Sequence, residues 1–230
     1  MQLLIQTHTG ADPQGRASGT ESLILPDGSV FAHMPGFNIQ DDPESWIDSA
    51  EPGGRIVLGC GQLLTNRSAE STSRSWLTSW SEQGWEEFSR RFRSCMDLAS
   101  QRRIGLLIRP SAEGMLSDAV CTLNWCTRGG GQDATLLLDP MGWIVPSMLR
   151  DLDDHLVRIS ELCQEMIDHG RVGGVVLRSC EVRDGEILAG RSLSDGSIDA
   201  RLIVDRLGEL GRRAGVGVLL DPEDRRILDD

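Results

Sequence analysis

Lysine and tyrosine are both missing from this 230-residue chain. All 23 basic residues are arginine, where roughly a dozen lysines would be ordinary for the length. The absence excludes a lysine Schiff base, a P-loop lysine and any Lys or Tyr general acid or base. It also leaves no lysine side chain open to conjugation. Codon bias of a GC-rich genome and selection against conjugation would each produce it. Positive charge is scarce as well: 35 acidic against 23 basic residues give a net charge of −12. That balance opposes sequence-independent nucleic-acid binding, which depends on neutralising phosphates. No apolar run approaches the roughly 18 residues of a membrane span. Residues 1–6 are too short for a secretory signal and lack its basic flank. Nucleic acid and membrane are therefore set aside as partners, and a cytoplasmic location is expected.

The six cysteines never form Cys-x-x-Cys, and the nearest pair, Cys121 and Cys126, has no His-x-x-x-His beside it. Zinc-ribbon chemistry is thereby disfavoured, and reduced, buried thiols are expected. No Gly-x-Ser-x-Gly elbow is present. Gly59-Cys60-Gly61 follows an apolar run but lacks the third glycine of a dinucleotide loop, so it reads as a strand-end turn. Cys60 is a nucleophile only if His8 or His33 lies beside it. Gly129-Gly130-Gly131 precedes an apolar run instead of following one, which makes it a flexible linker and not a phosphate cradle.

What is present is an α/β rhythm. Short apolar runs at 2–6, 30–33, 55–58, 104–108, 134–138, 174–177 and 216–220 read as strands, most of them apolar throughout, as parallel strands covered on both faces are. Leu23–Leu25, then Pro26-Asp27-Gly28 and Val30, reads as strand, tight turn, strand. Three helical faces alternate with them. Trp85, Phe88, Phe92, Cys95 and Ala99 form one, with Ser81 as its cap. Leu152, Leu156, Ile159, Cys163 and Met166 form the second, after Pro146-Ser147. Ile203, Leu207, Leu210 and Ala214 form the third, stopped by Gly215. The expected fold is a trimmed (β/α) barrel over residues 1–222, followed by an acidic tail at 223–230. The Gly/Ser/Asp-rich stretch 9–20 stands where a regular barrel has a helix. The polar stretch 66–81 carries Trp76 and Trp80, either to cover a pocket or to staple the loop to the core.

Several segments resemble the metal-dependent, xylose-isomerase-like TIM barrels, which include sugar isomerases, sugar-phosphate epimerases and apurinic-site endonucleases. Gln6-Thr7-His8-Thr9-Gly10 looks like their first strand end. Ala32-His33-Met34-Pro35-Gly36-Phe37-Asn38 is similar to an "H-x-P-x-x-N" second one. Gly59 stands where a His would be and Arg109 where a Glu would be. Leu138-Asp139-Pro140-Met141-Gly142 takes the place of Asp-x-x-His, Val176 that of another His, and Leu220-Asp221-Pro222 that of the terminal Glu strand. The resemblance implies divalent-metal chemistry, with His33, Asp139 and Asp221 as the ligands that remain.

Arg109 and Arg178 oppose that chemistry, because two guanidiniums repel a cation by several kcal/mol at short range. Three arrangements remain open: an ion-pair plug among Arg109, Arg178, Asp139 and Asp221; capture of a carboxylate or phosphate by the arginines; or a residual metal site. The leading functional expectation is a catalytically degenerate barrel that binds a small anion or a protein partner. Its ligand-site candidates are Arg109, Arg178, Cys60 and His8, and no cofactor is expected. The alternative is a divergent metal-dependent sugar isomerase, epimerase or lyase using His33, Asp139 and Asp221, with a divalent metal.

Overall fold

The computed structural model describes residues 2–9, 20–24, 30–34, 39, 41–42, 46–61, 80–214, 217–220 and 224. Its central feature is a closed barrel of β1 (Gln2–Thr9), β2 (Thr20–Ile24), β3 (Val30–Met34), β4 (Arg55–Gly59), β5 (Gly105–Arg109), β6 (Thr135–Leu138), β7 (Val172–Val176) and β10 (Gly217–Leu220). Around the wall the order is β1-β10-β7-β6-β5-β4-β3-β2. Every neighbouring pair is parallel except β1–β2 and β2–β3. An antiparallel strand therefore sits where a barrel of regular repeats would place a parallel one. This is how the chain is trimmed: a hairpin stands in for one strand–helix unit. Residues 10–19, read above in place of a helix, lie outside the described residues apart from the strand ends at Thr9 and Thr20.

Strand alternation splits the apolar residues into two cores. Val57, Leu107, Leu137 and Val176 join Phe31, Ala32 and Met34 in one buried cluster. Their neighbours Ile56, Leu58, Leu106, Ile108, Leu136, Leu138 and Val175 belong to a larger cluster shared with the helices. The first cluster fills the barrel, and the second glues the helices to its outside. Near-continuous apolar strands are thus buried on both faces.

The helices follow β4 to β7. Helix α1 (Glu82–Arg102) starts at Ser81, whose hydroxyl accepts from Gly84 N–H at 3.1 Å, and it buries Phe88, Phe92, Cys95 and Ala99. It stops at Arg103 in the left-handed region (φ 58°). Helix α2 (Ala119–Arg128) is capped by Asp118, which accepts from Cys121 N–H at 2.7 Å. Helix α3 (Leu152–Asp168) buries Leu156, Ile159, Leu162, Cys163 and Met166. Helix α4 (Ala200–Ala214) buries Ile203, Leu207 and Leu210, while Gly215 lies outside the described residues.

Three features differ from the sequence reading. Helix α2 is an addition: its ten residues, AVCTLNWCTR, include Thr, Asn, two Cys and Trp, all modest helix formers. The glycines at 129–131 are packed rather than a flexible linker, since a Cβ at Gly131 would stand 2.4 Å from the Trp125 ring. A hairpin of β8 (Ser179–Arg183) and β9 (Glu186–Arg191) also follows β7. It turns through Asp184 (φ 52°) and Gly185 (φ 80°), a pairing suited to a tight hairpin turn.

The hairpin continues into the 192–194 segment. There the buried Asp224 accepts from Leu193 N–H at 2.5 Å and Ser194 N–H at 2.9 Å. Among the described residues, all six cysteines are free thiols and no helix is long and apolar enough to cross a membrane.

Candidate functional site

The barrel interior and the site share one periodicity. Two residues beyond the inward-facing Val57, Leu107, Leu137 and Val176 come Gly59, Arg109, Asp139 and Arg178. Each is the next step on the inner face, and all four line one cleft of about 740 Å³ at the C-terminal ends of the strands. Gly59 pairs in register with Arg109 and contributes no side chain. Ser111, Glu113, Met141, Ile144, Val145, Pro146 and Ile187 complete most of the wall.

Asp139 is held by its own turn. Pro140 opens a short 3-10 helix, and Asp139 caps it by accepting from Gly142 N–H at 3.2 Å. Its side chain is only 1% exposed. Arg109 Nε and Nη2 donate to Oδ2 at 3.1 and 2.5 Å. Arg178 donates from Nε to Oδ1 at 3.0 Å and brings Nη2 to 2.7 Å from Oδ2. The two guanidiniums therefore converge on one carboxylate, Arg109 from the end of β5 and Arg178 from just beyond β7.

Burial is the largest single influence on Asp139 and opposes its ionisation. The charges and hydrogen bonds of Arg109 and Arg178 together outweigh it and hold the carboxyl below the usual range. The arginine side chains stay 27% and 29% exposed toward the cleft.

The ion-pair arrangement among Arg109, Arg178 and Asp139 is thus present. Of the other candidates, Asp221 lies outside the described residues, as do the side chains of His8 and His33, whose backbones belong to β1 and β3. Cys60 follows β4 but is buried, and burial raises its thiol pKa. A Cβ on Gly114 would come within 2.5 Å of its sulfur, so that side of the thiol is closed.

The resemblance to metal-dependent barrels calls for a divalent cation, and the described donors do not fit one. Asp139 already takes contacts from three nitrogens at Oδ2 and two at Oδ1, against about four lone-pair sites. Among the described residues, no three His, Cys, Asp or Glu side chains converge as metal ligands. Of the cleft residues, Ile187 was missed from the sequence, although Asp184-Gly185 between Val182 and Ile187 is a hairpin signal.

No protein-family profile and no curated protein matches the chain. Solved structures similar to it include the probable 3-DHS dehydratase AsbF of petrobactin synthesis from Bacillus anthracis, at 12% identity over 76% of this chain and 59% of that one (TM-score 0.44). A xylose isomerase-like TIM barrel protein from Mycobacterium smegmatis, in complex with magnesium, is similar at 15% identity over 77% and 58% (TM-score 0.42). Mannonate dehydratase from Streptococcus suis is similar at 7% over 77% and 58% (TM-score 0.46). The chain spans less than two thirds of the length of each of these structures. The barrel assignment itself stands on the strand register described above.

Proposed function

We propose that this barrel is a binding module for a small anion, a carboxylate or phosphate taken up at the C-terminal mouth, and that it is not a metal-dependent catalyst. The observation that carries this reading is the Arg178 guanidinium. Its Nε/Nη2 edge is spent on a buried carboxylate, which fixes its plane, while the side chain remains 29% exposed to a 740 Å³ cleft. A guanidinium held in this way is pre-organised for an incoming oxyanion, because the rotamer entropy of Arg is lost before the ligand arrives. Arg109, held by the same carboxylate, gives the pocket a second cation. Asp139 acts here as a positioning residue and not as a metal ligand or a base.

Thermal unfolding with phosphate, acetate and citrate, beside Mn²⁺ and Mg²⁺, tests the proposal. A ligand at 100 times its Kd stabilises the fold by about 2.7 kcal/mol. The anions should raise Tm in the parent, and Arg178→Gln should abolish the rise. An equal rise in both proteins, or stabilisation by the metals alone, would overturn the reading. The second result would return attention to a metal-dependent isomerase or lyase.

A further inference from the structure

The cleft has two chemically distinct parts. We infer that its ligand is a monocarboxylate with an apolar body, and not a phosphate or a hydroxyl-rich sugar acid; this rests on the reading of the mouth as an anion site.

The charged floor is Asp139 with Arg109 and Arg178. One stretch of the wall is aliphatic, beside a polar one of Ser111, Glu113 and Ser179. Beyond the Asp139-Pro140 turn, Met141 and Ile144 are buried, Val145 is half-buried and Pro146 is exposed, and all four line the cleft. Ile187 comes from β9, is half-buried against the outer core, and lines the same cleft. Proline carries no N–H, and aliphatic side chains offer neither donor nor acceptor. A hydroxyl-rich body laid on this aliphatic stretch would lose its hydrogen bonds to water without replacement. An alkyl or aryl body would instead gain from leaving water.

Charge restricts the headgroup. The ionisable side chains lining the cleft are the Arg109 and Arg178 guanidiniums against the Asp139 carboxylate and the exposed Glu113, so their formal charges cancel. A dianion would bring two further negative charges toward both acids, whereas a monocarboxylate brings only one. The end of Arg178 not spent on Asp139 is available to such a carboxylate: among the described residues, it hydrogen-bonds and ion-pairs with the Asp139 oxygens alone. At about 740 Å³ the cleft also exceeds what a bare inorganic ion needs and falls in the usual range of small-molecule sites.

The test is a calorimetric titration of the full chain with acetate, butyrate, hexanoate, 1-hexanol and inorganic phosphate. Affinity should rise about two- to fourfold per methylene from acetate to hexanoate. Hexanol and phosphate should bind at least about tenfold more weakly than hexanoate. Ile187→Ser should flatten the chain-length series while leaving acetate binding in place. Val145→Thr, nearly isosteric, does the same at another point of the wall if Ile187→Ser unfolds. A flat series in which acetate and phosphate still bind in an Arg178-dependent way sinks the ligand class but leaves the anion site standing. Hexanol binding as well as hexanoate also sinks it. No binding by any probe removes both readings together.

Discussion

Replacing Asp139 by Asn removes one charge and almost no volume, so it isolates the electrostatics of the mouth. In the parent, Asp139 is nearly fully buried between two guanidiniums that are each somewhat under one-third exposed. At an effective dielectric constant of 20, each attraction at about 4 Å is worth on the order of 4 kcal/mol before solvation. Solvent around the arginines discounts this strongly, and the parent already bears the cost of desolvating the carboxylate. Without the charge, the guanidiniums repel each other and the Asn NH₂ faces one of them donor to donor.

The net loss should be about 3 kcal/mol, or roughly 6–12 °C in Tm for a chain of this size. Arg178→Gln should cost less, about 1 kcal/mol, because Asp139 keeps Arg109. Urea denaturation of both variants and the double variant measures the coupling. A loss below about 0.5 kcal/mol for Asp139→Asn, or a smaller loss than for Arg178→Gln, would refute this account of the site. The pH dependence gives a second readout. The folded carboxyl has the lowered pKa, so the unfolded chain takes up this proton first on acidification. The stabilisation is complete above about pH 5, starts to fall near the ordinary Asp value of about 4, and is gone once pH drops through the folded value. The gap between parent and Asp139→Asn should close over that range.

Two further predictions concern packing. Gly131→Ala should destabilise by about 3 kcal/mol or more, because its Cβ would meet the rigid Trp125 ring at 2.4 Å. Gly53→Ala, with φ +92° and open space around it, should cost only about 1 kcal/mol of backbone strain; urea midpoints compare the two. Burial raises the thiol pKa of Cys95 and Cys126 to about 11, of Cys121 to about 12, and that of Cys163 further. A thiol-specific disulfide reagent at neutral pH should therefore label the native protein slowly and all six cysteines once it is unfolded; prompt native labelling of Cys60 or Cys163 would contradict their burial.

The barrel and its charged mouth were legible for one reason: period-two alternation. Once Val57, Leu107 and Leu137 are placed on the inner face, Gly59, Arg109 and Asp139 must follow them at the strand ends, and Arg178 extends the same parity beyond Val176. Which of the three arrangements the arginines adopt was not legible, because it depends on Asp139 being brought between two non-adjacent strands. Helix α2 escaped notice for a local reason. Its face of Ala119, Thr122, Leu123, Trp125 and Cys126 mixes small, polar and aromatic residues and gives a weak apolar period, although its Asp118 cap was available to read. The aliphatic wall was hidden differently: Ile187 reaches the cleft only through a hairpin that a Rossmann-like or regular barrel rhythm does not contain.

The hydrogen bonding of β1 to β10 makes the wall a ring whose seam joins residues 2–5 to 217–220. That seam is the pairing of greatest sequence separation in the barrel, so its loop-closure entropy is the largest and it should form late in folding. Until it closes, β1 and β10 are unpaired edges. Loss of Gly217–Leu220 would leave the ring open for good between β1 and the almost wholly apolar β7, presenting two sticky strand edges to other copies. For this protein, damage at the last strand should show up first as aggregation and only second as lost binding.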